Sequence, residues 1–175
     1  PGRAAATIDM VNLKTVTKDP EVLTLIEYAD KQLEAIGYTG HGFRHARLVA
    51  KNAAAVLAAL EHDPRTVELA AIAGYLHDIG NVVNRLEHER LSALLARDVL
   101  RRLGMEPAET ALVMSAIGNH HEVGGNPVSI VSSALILADK ADVHRSRVRN
   151  PELIRFDIHD RVNYAVRKSG LVVNK

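Results

Sequence analysis

The chain has 175 residues, of which 47% are hydrophobic, 25% are charged and 3% are aromatic, a composition that suits one folded domain with an aliphatic core. The absence of cysteine excludes disulfides, thiolate zinc sites and thiol nucleophiles, whereas nine histidines remain as candidate ligands. A net charge of +1 is too balanced to indicate a nucleic acid or a membrane surface as partner. No long apolar run or signal-peptide pattern is present, so we expect a cytoplasmic protein without a membrane partner.

The first half of the chain predicts an arm followed by three helices. Residues 1–18 are polar and irregular and are expected to form a loosely docked arm. An Asp-Pro pair at residues 19–20 marks the start of the first helix, because aspartate caps and proline fits the first turn. The second helix opens within residues 40–45, and its apolar face continues back to a histidine there. A further Asp-Pro pair at residues 63–64 starts the third helix, which ends in the His-Asp pair at residues 77–78.

Three more helices follow, and each carries a histidine or an aspartate at one end of its apolar face. The fourth helix begins near His88. The fifth helix ends in the doublet of His120 and His121. The sixth helix spans about residues 129–144 and contains Asp139. Spacings of three and four residues between apolar side chains place these polar groups on the buried side of each helix.

The C-terminal segment is more polar than the helical core, which we assign to residues 19–147. Residues 148–175 form a C-terminal extension with a short amphipathic helix near residues 158–166. Residues 171–173, Leu-Val-Val, predict a short strand or hairpin. Because no partner strand is visible, we expect this strand to pair in a homodimer, or the natural chain to continue beyond Lys175.

Histidines and aspartates therefore end or begin otherwise apolar faces on five helices. Any one of them is more often a cap or a hydrogen-bonded core residue than a ligand. Five such cases together favour a metal centre, because imidazole nitrogen and carboxylate oxygen both bind metals and burial of either group without a partner is costly. The candidate ligands are His45, His77, Asp78, His88, His120, His121 and Asp139.

The segments FRHARLVA, GYLHDIG and LILADKAD resemble the HD-domain superfamily of metal-dependent phosphohydrolases, and the resemblance covers about residues 40–147. The segments EHERLSALLA and SAIGNHHE are similar to the two-metal branch, and the latter is also similar to symmetrical dinucleoside-tetraphosphate hydrolases. The glycine-tyrosine-proline signature of the cyclic-dinucleotide branch is replaced by EVGGNP, and Asn81 stands where a lysine often follows HDIG. The fold that this resemblance implies is an all-α HD-domain helical bundle.

The resemblance also implies a ligand set with two divalent ions. His45, His77, Asp78 and Asp139 would hold one ion. The second would be held by a bridging Asp78 together with His88, His120 and His121. Nitrogen and oxygen ligands without sulfur suit Fe, Mn, Co, Ni or Zn.

The implied reaction is hydrolysis of a nucleotide or another phosphate ester or anhydride by a metal-activated hydroxide, with Asp78 as the catalytic ligand. Lys140, Arg145 and Asn81 are the candidate substrate-binding residues, although cations near a helix C-terminus also complement its dipole. Two alternatives stay open: a di-iron oxygenase of the same superfamily, and a non-catalytic module that senses nucleotides. A small phosphorylated substrate is the expected partner in the first case.

Overall fold

A computed structural model describes residues 10–122, 124–150, 152, 154 and 158–174. Within these residues the chain forms eight α-helices and two 3₁₀ turns, and none of the helices combines the length and the apolar character that crossing a membrane requires. The helices are α1 (Leu13–Val16), α2 (Pro20–Ala35), α3 (Phe43–Ala59), α4 (Pro64–Leu76), α5 (His88–Leu103), α6 (Pro107–Gly118), α7 (Ile130–Lys140) and α8 (Ile158–Ala165). The 3₁₀ turns span Ile79–Val82 and Arg145–Arg147.

Helix starts follow the local sequence as predicted. The Asp19 carboxylate accepts hydrogen bonds from the backbone N–H groups of the first turn of α2, and Asp63 does the same for α4. Proline occupies the first position in both helices, where its missing N–H costs no hydrogen bond. Helix α5 ends at Leu103 and is followed by Gly104, whose φ of 90° lies in the left-handed region that glycine tolerates.

Helix α4 lies at the centre of the bundle and packs against α3, α6 and α7. Every residue of its last two turns, from Leu69 to Leu76, is buried. Gly74 allows α4 to approach α3 closely, because a Cβ there would lie 2.9 Å from the backbone N and Cα of Ala50. This crossing places the end of α4 beside the start of α3, where the site is built.

Residues 10–18 are packed more firmly than the predicted loose arm. Val11 and Val16 are buried in the core, and the Arg65 guanidinium donates a hydrogen bond of 2.8 Å to the carbonyl oxygen of Val11. The Leu13 N–H donates to the carboxylate of Glu68. The expectation of a loose arm is therefore wrong for these residues, because Val11, just before α1, and Val16, at its end, both pack in the core. Residues 1–9 lie outside the described part.

The predicted C-terminal strand is absent from the described residues. Leu171 and Val173 are half-buried against the core, whereas Val172 between them is 80% exposed. An alternating apolar pattern is typical of strands. Here the segment packs every second side chain against the helical core and, within the described part of the chain, forms no hydrogen bonds to a neighbouring strand. Several residues of the predicted 148–175 extension lie outside the described part.

Candidate metal centre

Five elements bring their polar ends to one end of the bundle. His45 lies in the first turn of α3, and His77 and Asp78 follow the last residue of α4. The other members are His88 at the start of α5, His120 two residues after α6, and Asp139 in the last turn of α7. All four of these histidines are buried.

One group of side-chain atoms in this cluster is tightly convergent. The Nε2 atom of His45 lies 3.2 Å from Nε2 of His77, 3.5 Å from Oδ2 of Asp78 and 3.3 Å from Oδ1 of Asp139. The Nε2 atom of His77 lies 3.3 Å from Oδ2 of Asp78 and 3.6 Å from Oδ1 of Asp139. Ligands bound about 2.0–2.2 Å from one ion, at angles between octahedral and tetrahedral, are about 2.8–3.6 Å apart. Both carboxylates therefore lie at the spacing of co-ligands from the two imidazoles.

A second group shares Asp78 with the first. The Oδ1 atom of Asp78 lies 3.4 Å from Nε2 of His88 and 3.9 Å from Nε2 of His120. His121 is half-buried on the rim, with its ring 5.1 Å from the ring of His88. The two oxygens of Asp78 thus face different groups, which is the arrangement that a bridging carboxylate requires.

The Nδ1 atom of each buried histidine has an oxygen partner that orients the ring. His77 donates to the carbonyl oxygen of Gly74 at 2.8 Å, and His120 donates to that of Ile117 at 2.6 Å. His88 pairs with the carbonyl oxygen of Arg85 at 3.1 Å. With Nδ1 as donor, Nε2 is the nitrogen of each ring that is left to bind a metal.

His45 is oriented by a carboxylate. Its Nδ1 atom lies 2.8 Å from Oδ2 of Asp142, which also accepts hydrogen bonds from Arg44 at 3.0–3.1 Å. Two Nε2 lone pairs at 3.2 Å, those of His45 and His77, repel unless a proton or a cation lies between them. The donor set, its spacing and its tautomers therefore fit a divalent cation.

The charges of the cluster also favour a cation. Burial would raise the pKa of Asp78, but the charge and hydrogen bonds of neighbouring histidines, chiefly His77, hold it well below its usual range. The pKa of Asp139 is held low in the same way. Burial would lower the pKa of His77, but the two carboxylates raise it to about 10. Burial, with the charge of His77, lowers the pKa of His120 to about 3. Both aspartates are thus ionised at neutral pH.

The cluster forms the floor of a cleft of about 710 Å³, which is large enough for a small organic substrate. Lys140 lines this cleft, with its Nζ 2.8 Å from Oδ2 of Asp139 and 2.7 Å from Oε1 of Glu122. Asn81 is buried below, and its Nδ2 lies 3.2 Å from Oδ1 of Asp78. The structure thus places Lys140 at the cleft and Asn81 against the candidate ligand Asp78.

Arg145, the third predicted substrate-binding residue, points elsewhere. Its guanidinium lies over the ring of Tyr164 at 4.9 Å and donates to the carbonyl oxygen of that residue at 3.0 Å. Arg147 lines the cleft instead, donating to His41 and to the carbonyl oxygen of Asp142. The reason is that α7 ends at Lys140, four residues before the predicted end, so a 3₁₀ turn sets the direction of both arginines.

One cleft residue that the sequence did not single out is Arg85, which lies beside Tyr38. The guanidinium carbon of Arg85 lies 5.3 Å from the centre of the Tyr38 ring. Arg85 is three residues before His88, in a loop without helical or strand periodicity, so only its position as a cation next to a candidate ligand could have drawn attention to it.

Comparisons with known proteins agree with this architecture. The family model described as HD domain matches residues 42–162, which include every buried member of the cluster. An uncharacterized protein of Methanocaldococcus jannaschii is 32% identical over 146 residues, and the match spans 71% of this chain but only 56% of that protein. The crystal structure of a predicted HD superfamily hydrolase from an uncultured Thermotogales bacterium aligns with a TM-score of 0.57 and 25% identity, over 77% of this chain and 75% of that one.

Proposed function

This chain belongs to the HD-domain family, and from that membership and the buried cluster we propose that it is a metal-dependent phosphohydrolase. The observation that carries the proposal is the convergence of Nε2 of His45, Nε2 of His77, Oδ2 of Asp78 and Oδ1 of Asp139, with separations of 3.2–3.6 Å between the two imidazoles and from them to the carboxylates. A purely structural site is closed by protein groups, whereas this one opens into a cleft that a substrate can enter.

Two divalent cations would be held, with Asp78 between them. The first would be bound by His45, His77, Asp78 and Asp139. The second would be bound by Asp78, His88 and His120, with His121 in reach at the rim. Such ions supply Lewis acidity that activates a water molecule and neutralises charge on a phosphoryl group. The nitrogen and oxygen ligand set suits Mn, Fe, Co, Ni or Zn.

The protein groups around the ligands would orient both metal and substrate. Asn81 donates to Oδ1 of Asp78 at 3.2 Å and so fixes the rotation of the bridging carboxylate. Lys140 is bound to Asp139, and its exposed side faces the cleft, where its charge attracts the oxygens of a phosphate. The carboxylate of Asp142 holds His45 so that Nε2 faces the ion.

The substrate that we propose is a small phosphate ester or anhydride, with nucleotides as the first class to test. Tyr38 supports this choice: the residue is 40% exposed and lines the cleft, where a base can stack on its ring. The cations Lys140 and Arg85 lie in the same cleft, at the end that contains the candidate ligands.

Anaerobic purification, elemental analysis and a panel of nucleotides and phosphate esters with added Mn or Fe would test the proposal. We expect bound metal and phosphate release, and Asp78→Ala should lose both because it removes ligands from both groups. Asp98→Ala is the matched control, since Asp98 is an exposed residue of α5 that pairs with Arg97. Retention of metal and activity by Asp78→Ala would contradict the ligand assignment. Oxygen consumption by the iron form without hydrolysis would favour an oxygenase, and tight nucleotide binding without turnover would favour a sensor.

A further inference from the structure

Arg85 contacts both ring nitrogens of His88. Its carbonyl oxygen lies 3.1 Å from Nδ1, and Nη1 of its guanidinium lies 3.1 Å from Nε2. Since an arginine has only donors in its side chain, Nε2 must be the acceptor and Nδ1 must carry the proton. Arg85 therefore sets the tautomer of His88 with its backbone and occupies the lone pair of Nε2 with its side chain.

The same lone pair faces the proposed second cation. The Nε2 atom of His88 lies 3.4 Å from Oδ1 of Asp78, in the group that would hold this cation. An imidazole nitrogen has one lone pair, so it cannot accept a hydrogen bond from a guanidinium and bind a metal at once. Two positive charges so close would also repel each other in a partly buried site. The guanidinium of Arg85 and the second cation are thus mutually exclusive at His88.

Three basic side chains of the described residues line the cleft, those of Arg85, Lys140 and Arg147, and Arg85 is the one without a carboxylate within ion-pair distance. Lys140 is paired with Asp139 and Glu122, and Arg147 lies 3.8 Å from a carboxylate oxygen of Asp142. The hydrogen-bond acceptors of the Arg85 guanidinium are neutral, namely His88 and, at 3.4 Å, the side-chain oxygen of Asn81. An anion that enters the cleft can therefore recruit Arg85 without breaking an ion pair.

The geometry points to Arg85 as a phosphate-binding residue that controls the second cation site. Arg85 blocks Nε2 of His88 until the phosphoryl group of a substrate or product takes up the guanidinium, and the lone pair that is released then binds the cation. A phosphate suits this role because guanidinium binds it with two parallel hydrogen bonds, which a neutral imidazole and amide cannot match. Tyr38 provides a surface against which the guanidinium can turn while it stays in the cleft. This inference rests on the proposed function, since it presumes the two-cation site.

Calorimetric titration with Mn²⁺, with and without inorganic phosphate, tests the inference without an activity assay. For the unmodified chain we expect one tight site and one weaker site, and phosphate should tighten the weaker site by at least about fivefold, the lower end of typical coupling between sites. Arg85→Met keeps the aliphatic stem against Tyr38 and removes the charge. It should bind the second Mn²⁺ at least about fivefold more tightly without phosphate, and phosphate should add less.

Arg90→Met is the matched control, because Arg90 is an exposed arginine five residues further on, paired with Glu87 outside the cleft. It should behave like the unmodified chain. Should Arg85→Met fail to fold, Arg85→Lys should still show a reduced effect of phosphate, since lysine cannot form the two parallel hydrogen bonds. Equal second-site affinities in all variants, or an unchanged phosphate effect without Arg85, would overturn the inference and leave the proposed hydrolase intact. A chain that binds no Mn²⁺ in any form would contradict the proposed function itself.

Discussion

Replacing Gly74 by alanine tests the close crossing of α3 and α4 that brings His45 next to His77. The new Cβ would lie 2.9 Å from the N and Cα atoms of Ala50, which is 0.5–1.1 Å short of the 3.4–4 Å of ordinary contact. Neither atom belongs to a flexible side chain, so α4 must move away from α3. Inserting a methyl group into a packed core typically costs about 1–3 kcal/mol.

Gly118→Ala in α6 is the matched control, because its Cβ would meet the Cβ of Ala93 at an ordinary 3.8 Å. Alanine favours a helix over glycine by up to about 1 kcal/mol at either position, so the difference between the variants reports mainly the collision. We expect Gly74→Ala to be about 1–3 kcal/mol less stable than Gly118→Ala, measured as urea midpoints at constant m-value in a chelating buffer.

The same displacement should act on the site. A movement of 0.5–1.1 Å is large against the 3.2 Å between the Nε2 atoms of His45 and His77. The metal affinity of Gly74→Ala should therefore fall, whereas that of Gly118→Ala should not. If the two variants unfold at the same urea concentration and bind metal equally well, the crossing does not position the cluster and the reasoning is refuted.

Three further predictions follow from single features of the structure. Asp142→Asn should weaken metal binding by about 10- to 100-fold, because His45 loses the carboxylate that orients it; unchanged affinity in a Mn²⁺ titration would contradict this role. Leu135→Ala should lower the free energy of unfolding by about 2–5 kcal/mol, since Leu135 is fully buried in α7. A loss below about 1 kcal/mol would contradict this and show that the surrounding side chains close the cavity. The pKa of His77 is raised to about 10, so its proton must leave when a cation binds. Metal affinity should accordingly rise with pH between about 6 and 9, with proton release visible as a buffer-dependent binding enthalpy; an affinity independent of pH would be the contrary result.

The helices and the positions of the candidate ligands follow from local sequence. Asp-Pro pairs at residues 19–20 and 63–64 begin helices because both preferences are local properties of the backbone. His45 and His88 could be assigned to the interior because each continues an apolar face by helical periodicity. The ordered set of histidines and aspartates then indicated the family.

The features that the sequence did not predict depend on distant partners. Leu171 and Val173 have strand-like alternation, but whether they find a ladder or a helical surface is decided by tertiary packing. Arg145 was the predicted substrate-binding arginine, but the early end of α7 turns it towards Tyr164 and turns Arg147 towards the cleft. The role of Arg85 depends on the direction of its side chain across a loop, which no periodicity describes.

Anomalous diffraction from crystals grown with Mn²⁺ is the most direct test of the shared metal centre. We expect a strong peak within bonding distance of Nε2 of His45, Nε2 of His77 and one oxygen each of Asp78 and Asp139. A second peak should lie on the other side of the Asp78 carboxylate when phosphate is present. Density only at scattered surface carboxylates, with no peak among these four residues, would contradict the shared metal centre.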